Sequence, residues 1–275
     1  MIRKKTILII GISVFSILII YVFLFGKLFA YSPVFPGFEK HVLSHTVFYH
    51  QDKAIFDDYI KIDTLIPSIE NFHELKFITK PKIFLFSDSI SYIRHSLTKA
   101  RFCAFYNGRV FVTPWALREA QAGEISLEIY LTHELSHSLI HQHSGLMHAY
   151  KYPEWLLEGI AMYSANQMGT SFYPDKKETY RLIKAGNFMP PDYFRTKNED
   201  KIKLDVEYRI TFMYSEFGCI VDYMITTYGK DKFISYMKSL IKNNDHDNLF
   251  RQIYGIDFDE FLDDFKEYVS LNTPE

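Results

Sequence analysis

Hydrophobic and polar positions divide the chain into two unlike parts. Residues 6–25 contain no charged side chain and consist almost entirely of Ile, Leu, Val and Phe, whereas the rest mixes apolar and polar residues in shorter patterns. In a helix, about twenty apolar residues span the hydrocarbon layer of a bilayer, which is ~30 Å thick. The pattern therefore predicts an apolar N-terminal helix followed by a globular body. No later stretch is long and apolar enough to cross a membrane.

The apolar segment has competing interpretations. A cleaved signal peptide has an apolar core of about 7–15 residues followed by a small-residue cleavage site. The run here is longer, and residues 26–33 contain no clean site, so an uncleaved anchor over residues 1–30 is favoured. A buried core helix is disfavoured because such helices are rarely apolar all round. Arg3, Lys4 and Lys5 should stay in the cytoplasm, so we expect a single-pass membrane protein with an extracytoplasmic body.

The body shows strand patterns first and helical patterns afterwards. Pro and Gly punctuate residues 31–44, which are predicted to be a linker. Short apolar runs predict strands, and helical spacing predicts a helix over residues 54–72 and further helices from residue 122 onward. This order indicates an α+β fold, with a small mixed sheet packed on a mainly helical domain over residues 45–275. The predicted strands are residues 45–50, 82–86 and 108–113.

Composition and charge exclude several classes of protein. A hydrophobic fraction of 48% and a charged fraction of 23% exclude a disordered chain. The only charged residues before Glu39 are four basic ones, which leave 27 of the 31 basic residues against 33 acidic residues, a net charge of about −6. A mildly acidic body binds nucleic-acid phosphates poorly, so we expect no nucleic-acid partner.

The strongest chemical signal is a pair of histidines in a predicted helix over residues 125–142. The sequence there reads His133-Glu-Leu-Ser-His137, and two histidines four residues apart project from one helix face. Both imidazoles can therefore bind one Zn²⁺ with bonds of about 2.0–2.1 Å. Glu134 directly follows the first ligand and is placed to take a proton from zinc-bound water. We therefore predict one zinc ion per chain.

A zinc site of this kind needs a third protein ligand and an open fourth position. Downstream, the segment Pro153-Glu-Trp-Leu-Leu-Glu158-Gly-Ile-Ala161 opens another helix, with Pro153 suited to its first turn. Its Trp, Leu, Glu, Gly and Ala resemble the W-L-x-E-G-x-A segment of gluzincin metallopeptidases, which include aminopeptidase-like enzymes and the peptidase MA-like proteins. The resemblance implies that Glu158 is the third zinc ligand.

The same resemblance, which covers roughly residues 45–270, implies a zincin-type catalytic domain with further functional elements. The strand at residues 109–113 would be an edge strand beside the active-site helix, where a peptide substrate could pair with the backbone. Tyr214-Ser-Glu-Phe-Gly218 resembles the tyrosine-bearing helix of the family, in which the hydroxyl donates to the oxyanion. Tyr214 is therefore the predicted oxyanion donor, and Tyr208 is a second candidate.

One expected segment is missing from the sequence. Aminopeptidases of this superfamily carry a G-x-M-E-N segment that captures the free amine of the substrate, and nothing in this sequence matches it. The resemblance therefore implies a peptide or protein substrate, without a choice between exopeptidase and endopeptidase. The alternative to a zinc peptidase is a catalytically silent module of the same fold that binds or regulates at the cell surface.

Other residues allow more than one interpretation. An intramembrane protease would also use the two-histidine motif, but Glu124 and Glu128 make this helix too polar to lie in lipid. Cys103 and Cys219 can form a disulfide in an extracytoplasmic body or remain free thiols, and the sequence alone leaves both open. The remaining histidines after the motif are predicted to lie at the surface or beside the ligands rather than in a second metal site, and they are His141, His143 and His148.

Overall fold

The computed structural model describes residues 4–52 and 60–273, which form a long N-terminal helix and an α+β body. Helix α1, Lys4–Phe25, contains a stretch, Ile7–Phe25, with a mean hydropathy of 3.0, none of which is buried in the body. This confirms the prediction of a helix long and apolar enough to cross a membrane. The mixed class of the body confirms the predicted α+β fold.

The body carries its strands before residue 113 and most of its helices after it. The strands are β1 Glu39–Val42, β2 Val47–His50, β3 Lys82–Leu85, β4 Phe102–Ala104 and β5 Arg109–Val112. The described α-helices of the body are α2 Ile66–His73, α3 Ser89–His95, α4 Pro114–Gln121, α5 Leu127–Ala149, α6 Glu154–Ser164, α7 Lys176–Lys184, α8 Arg209–Tyr228, α9 Lys230–Lys242, α10 His246–Tyr254 and α11 Phe258–Asn272.

The five strands form one mixed sheet in the order β1-β2-β3-β5-β4. Strands β2, β3 and β5 run parallel, and β1 and β4 pair antiparallel at the two edges. The three predicted strands are therefore confirmed, but β1 and β4 were not predicted. Strand β1 lies inside the segment predicted to be a linker.

The predicted edge strand is wrong. Residues 109–113 lie at β5, which is held between β3 and β4, and the sheet edge on that side is β4. A tight turn connects the two strands, in which the Gly108 N–H donates to the Phe105 carbonyl at 2.7 Å. Gly108 has a φ of 75°, a conformation that glycine adopts without strain. Strand β4 has only three residues, Phe-Cys-Ala, and is too short to show alternation.

The predicted helix over residues 54–72 is only partly described. Residues 53–59 lie outside the described residues, so the first half of this prediction is not addressed. Residues Ile60–Leu65 form a 3₁₀-helix, and the α-helix α2 begins at Ile66. The helical pattern was therefore correct near residue 66, although the turn before it is tighter.

Both faces of the sheet are buried, and the alternation along each strand decides which cluster each side chain joins. Ile83 and Leu85 point to the face that packs on α5, together with Phe48, Val110 and Val112 of the neighbouring strands. Phe84 and Phe111 point to the opposite face, where Phe29 packs after α1. A third cluster fills the space between the C-terminal helices. This double burial explains why the strands read as nearly continuous apolar runs.

Candidate metal centre

Helix α5 presents leucines on one side and histidines on the other. Leu131, Leu135 and Leu139 recur every four residues and pack against the sheet, which fixes the rotation of the helix. His133 and His137 consequently point away from the sheet, and both are buried. Ser126 caps the start of the helix, since its hydroxyl accepts a hydrogen bond from the Ile129 N–H. The sheet therefore sets the direction of the two imidazoles.

Helix α6 brings Glu158 to these two histidines. The Glu158 Oε2 atom lies 3.2 Å from His133 Nε2 and 3.4 Å from His137 Nε2, and the two Nε2 atoms are 3.0 Å apart. Glu158 is buried in a run of eight buried residues, Trp155 to Met162. Helices α5 and α6, separated in sequence by a short connection, thus place all three predicted ligand residues in one group that could hold a metal ion.

The spacing of the three atoms matches that of zinc ligands. Tetrahedral ligands with bonds of about 2.0–2.1 Å lie roughly 3.3–3.4 Å from one another. The three separations here are 3.0, 3.2 and 3.4 Å, so one ion fits between the atoms. The buried Nδ1 atoms of His133 and His137 have no hydrogen-bond partner among the described residues. Two histidines and one carboxylate are also a donor set typical of catalytic zinc.

The second oxygen of Glu158 is held by two donors from elsewhere in the chain. The Tyr214 hydroxyl donates to Glu158 Oε1 at 2.8 Å, and the Arg195 Nη2 atom donates to the same oxygen at 3.2 Å. Arg195 Nη1 also donates to Glu154 Oε2 at 2.6 Å. Outer hydrogen bonds of this kind fix the orientation of a ligand carboxylate. Glu158 therefore turns Oε2 toward the histidines and Oε1 toward Tyr214 and Arg195.

The Glu158 carboxylate and the His137 imidazole favour each other's charged forms. Burial raises the pKa of Glu158, but the two adjacent imidazoles outweigh it and hold this pKa well below its usual range. Burial lowers the pKa of His137, but the Glu158 carboxylate more than compensates and raises it. Burial and the same carboxylate raise the pKa of Tyr214 well above its usual value. Glu158 is therefore an anion, and Tyr214 keeps its proton as a hydrogen-bond donor.

Glu134 belongs to the same cleft but not to the ligand group. Its half-buried side chain lines the cleft beside His133 and His137. Burial raises its pKa, and the neighbouring imidazoles and the Ala104 backbone on β4 partly oppose that rise. The carboxylate therefore lies between the histidine pair and the sheet edge. It is not part of the group formed by His133, His137 and Glu158.

The site opens into a cleft of about 510 Å³. Strand β4 and the helices α5, α6 and α8 line the cleft, together with the irregular segments that carry Tyr173 and Arg195. The edge position of β4 leaves its outer side facing this space. Much of the remaining wall is aromatic, contributed by Phe102, Tyr106, Tyr130, Phe172, Tyr173 and Tyr214.

The structure separates the predicted site residues into two sets. It brings together His133, His137, Glu158 and Tyr214, with Glu134 beside them, but Tyr208 is 51% exposed and is not among the residues that line the cleft. The oxyanion role of Tyr214 stays a prediction, since its hydroxyl donates to Glu158. Both cysteines are free thiols, Cys103 in the cleft wall and Cys219 in the helical core.

The other histidines of α5 do not form a second metal group within the described residues. His141 is buried against the His137 ring, and burial and His137 lower its pKa to about 3. The His143 Nε2 atom lies 2.7 Å from the Lys76 carbonyl, and His148 is exposed. A separate group at the β1–β2 edge, Glu39, His41 and His50, also has the right donor types but lies partly in solvent.

Arg195 is the functional-site residue that sequence reasoning missed. It follows the 3₁₀-helix Pro191–Tyr193 and has a φ of 55°, an unusual conformation for a residue with a side chain. No motif surrounds it, and it lies 37 positions from Glu158 in the chain. The positive φ of Arg195 is a local feature that would have drawn attention to it, but this backbone angle cannot be read from the sequence.

Comparison with known proteins does not assign the chain to a family. No model of a known protein family matches the sequence, and no curated protein sequence matches it either. The resemblance to gluzincins therefore rests on the motif residues alone. The geometry of the site carries the functional argument.

Proposed function

We propose that this chain is a zinc-dependent peptidase of the gluzincin type, held at a membrane by α1. The observation that carries the proposal is the convergence of His133 Nε2, His137 Nε2 and Glu158 Oε2 at separations of 3.0–3.4 Å in an open cleft. The carboxylate of Glu134 lies in the same cleft but is not one of the three ligand groups, so it is available for proton transfer. This supports a catalytic site rather than a metal-storage site. A structural zinc site is normally closed by a fourth protein ligand.

The two histidines and Glu158 would hold the metal, each with one atom. Zn²⁺ in such a site polarises a carbonyl oxygen and lowers the pKa of water. Tyr214 and Arg195 hold the outer oxygen of Glu158 before substrate binds, and Arg195 alone would keep the direction of the ligand oxygen during turnover. The chain itself thus supplies a metal-binding site of three fixed ligand atoms, with one side open to the cleft.

Glu134 serves as the general base. Its carboxylate takes the proton from the water that attacks the scissile carbonyl carbon, and then delivers that proton to the leaving amine nitrogen. Partial burial raises its pKa, which makes it a stronger base than an exposed glutamate. Because Glu134 directly follows His133 in the chain, it lies beside the metal-binding site.

Tyr214 and β4 account for the remaining parts of a peptidase site. The neutral phenol of Tyr214 can donate to a developing oxyanion if it turns from Glu158 toward the substrate, while Arg195 remains on the carboxylate. No described strand pairs with the outer edge of β4, where an extended peptide could bind by backbone hydrogen bonds. The aromatic wall would then contact the peptide side chains.

The test uses the purified full-length chain in detergent micelles. We expect one zinc ion per chain by elemental analysis and chelator-sensitive cleavage in a peptide-library digestion. Glu158→Ala should lose zinc, whereas Glu134→Gln should retain zinc and lose cleavage by at least ~10²-fold, because a general base contributes that much. Glu124→Gln is the matched control, since Glu124 is an exposed glutamate before the same helix and should not affect either property.

Three outcomes would contradict the proposal. Zinc retention in Glu158→Ala would remove the assigned third ligand, and zinc loss in Glu134→Gln would make that residue a ligand rather than a base. Stoichiometric zinc without cleavage of any library peptide would support the catalytically silent module instead.

A further inference from the structure

The end of α1 is docked against the body rather than joined to it by a free linker. The Lys27 ammonium donates to the Ile93 carbonyl and, at 2.8 Å, to the Ser96 carbonyl, both at the C-terminal end of α3. Phe29 and Ala30, two and three residues later, are fully buried. The Arg109 guanidinium also donates to the Ala30 carbonyl at 2.6 Å. The position of the C-terminal end of α1 is therefore fixed relative to α3.

An apolar surface lies beside this junction. Ile90 and Ile93 are 69% and 49% exposed on one side of α3, and Leu97, just after the helix, is 71% exposed. We name these three residues the α3 patch. The other side of α3 is buried, since Tyr92 and His95 pack on Phe86. Single exposed apolar residues are common, but three neighbours beside a membrane helix indicate a contact surface.

The charges around the α3 patch suit a lipid surface. Residues 89–99 include two exposed basic residues, Arg94 and Lys99, and no acidic residue, whereas Arg101 just after them is paired with Glu119. Asp88 precedes them, and its carboxylate caps α3 by accepting from the Ile90 and Ser91 N–H groups. Apolar residues flanked by basic ones are typical of protein surfaces that lie in the headgroup region of a bilayer.

We propose that the α3 patch inserts into the outer leaflet of the membrane that α1 spans, so that the body is seated on the lipid headgroups. The inference rests on the proposed function of α1 as an anchor. The bilayer is the occupant that fits, because no residue of Ile7–Phe25 is buried in the body while Lys27 holds the end of α1 against α3. The patch is therefore held at the depth where the hydrocarbon layer ends.

This seating would place the cleft at the membrane surface. Directly after Leu97 the chain supplies Thr98, Ala100 and Arg101 to the cleft wall and then enters β4, which includes Cys103. Cys103 lies six positions after Leu97, and an extended chain covers at most about 20 Å over that length. The substrates we infer are peptide segments that lie on the membrane or emerge from it.

The first experiment measures lipid contact in the full-length chain. Ile93→Trp and Leu97→Trp are reconstituted separately into vesicles of phosphatidylcholine and phosphatidylglycerol whose acyl chains are brominated either near the headgroup or near the chain end, so that the two bromine depths together cover the hydrocarbon layer. Bromine quenches tryptophan fluorescence on contact, so both variants should lose most of the added emission. Ile17→Trp in the exposed middle of α1 is the positive control, and Leu271→Trp, at an exposed position of α11, is the negative control. The unchanged chain supplies the baseline for Trp115 and Trp155.

Each result decides the inference. Quenching at residues 93 and 97 but not at 271 supports it. Emission at 93 and 97 equal to that at 271 overturns it, and a cross-linked dimer through the patch would identify a second copy as the occupant. If Ile17→Trp is not quenched, the anchor fails and the inference fails with it.

A second experiment addresses the substrate class and separates it from the proposed peptidase activity. A peptide that is cut in the library digestion is offered free or lipid-tethered in the same vesicles. The variant Ile90→Ser/Ile93→Ser/Leu97→Ser should cut the free peptide as the unchanged chain does but lose much of the preference for the tethered peptide. An unchanged preference would contradict the inferred substrate class. Absence of all cleavage would contradict the peptidase proposal while the quenching result still stands.

Discussion

At the scale of single residues, the two oxygens of Glu158 have different partners. Oε2 faces His133 and His137, and Oε1 accepts from Tyr214 and Arg195. A buried carboxylate with opposite charges and donors on both sides is strongly held as an anion. The residue that the motif suggested as a ligand is thus oriented by two residues that the motif does not include.

Glu216 is a second buried carboxyl group, and it lies outside the cleft. It is fully buried in α8, and the Met189 N–H donates to its two oxygens, at 3.1 and 3.2 Å. Burial raises its pKa well above the usual range. The folded chain therefore binds this proton more tightly than the unfolded chain, so stability falls as the pH rises from about 4.3, the usual glutamate pKa, toward the higher folded pKa.

We therefore expect Glu216→Gln to raise the melting temperature at neutral pH. Glutamine keeps an oxygen for the Met189 N–H and has no charge to bury. The difference from the unchanged chain should shrink toward zero as the pH approaches the usual glutamate pKa, because both side chains are then neutral. Thermal denaturation followed by circular dichroism at several pH values measures this. A variant that is less stable than the unchanged chain at neutral pH would contradict the expectation.

At the scale of elements, the crossing of α6 and α8 explains a glycine of the motif. A Cβ atom on Gly159 would lie 2.6 Å from the Phe217 carbonyl oxygen, which is backbone and cannot move aside cheaply. Gly159 thus allows the two helices to approach closely, and this approach brings Tyr214 of α8 to Glu158 of α6. The glycine beside the ligand is therefore required by packing.

We expect Gly159→Ala to destabilise the fold by about 1–3 kcal/mol, the usual cost of overpacking a core. The Tyr214–Glu158 hydrogen bond should lengthen as α8 moves away, so metal affinity should also fall. Ser164→Ala, at a half-buried position of the same helix, is the control and should change stability by less than about 0.5 kcal/mol. Urea denaturation and a zinc titration measure both effects. Equal stabilities of the two variants would show that the helices have room to adjust.

At the scale of the whole molecule, the orientation of the proposed anchor α1 decides on which side of the membrane the proposed site lies. Arg3, Lys4 and Lys5 precede the apolar run, and basic residues at a membrane helix end remain in the cytoplasm. We therefore expect a tag at the C-terminus to be digested by protease added to intact cells. A tag fused before Arg3 should be protected until the cells are opened. The reverse pattern would place the body in the cytoplasm, and a mature chain beginning near Tyr31 would identify a cleaved signal.

Local patterns determined much of the fold. The three parallel strands, the apolar α1, and the helices that carry His133 and Glu158 all have residues whose spacing matches their periodicity. Strand β1 was missed because its sequence, Glu-Lys-His-Val, is mostly polar, and β4 because it has only three residues, so both are formed by pairing with a neighbour rather than by their own pattern. The edge assigned to residues 109–113 was wrong for the same reason, since strand order is not encoded in any one strand.

The sequence by itself determined which residues can bind metal, because two histidines one helical turn apart and a glutamate beside a packing glycine are local features. Only the tertiary structure decided that these helices meet, that β4 is the edge facing the cleft, and that Arg195 reaches Glu158. It also brought the end of α1 to α3. These contacts join residues far apart in the chain, and their free energy comes from burying apolar surface between whole elements. No short segment of sequence contains that information.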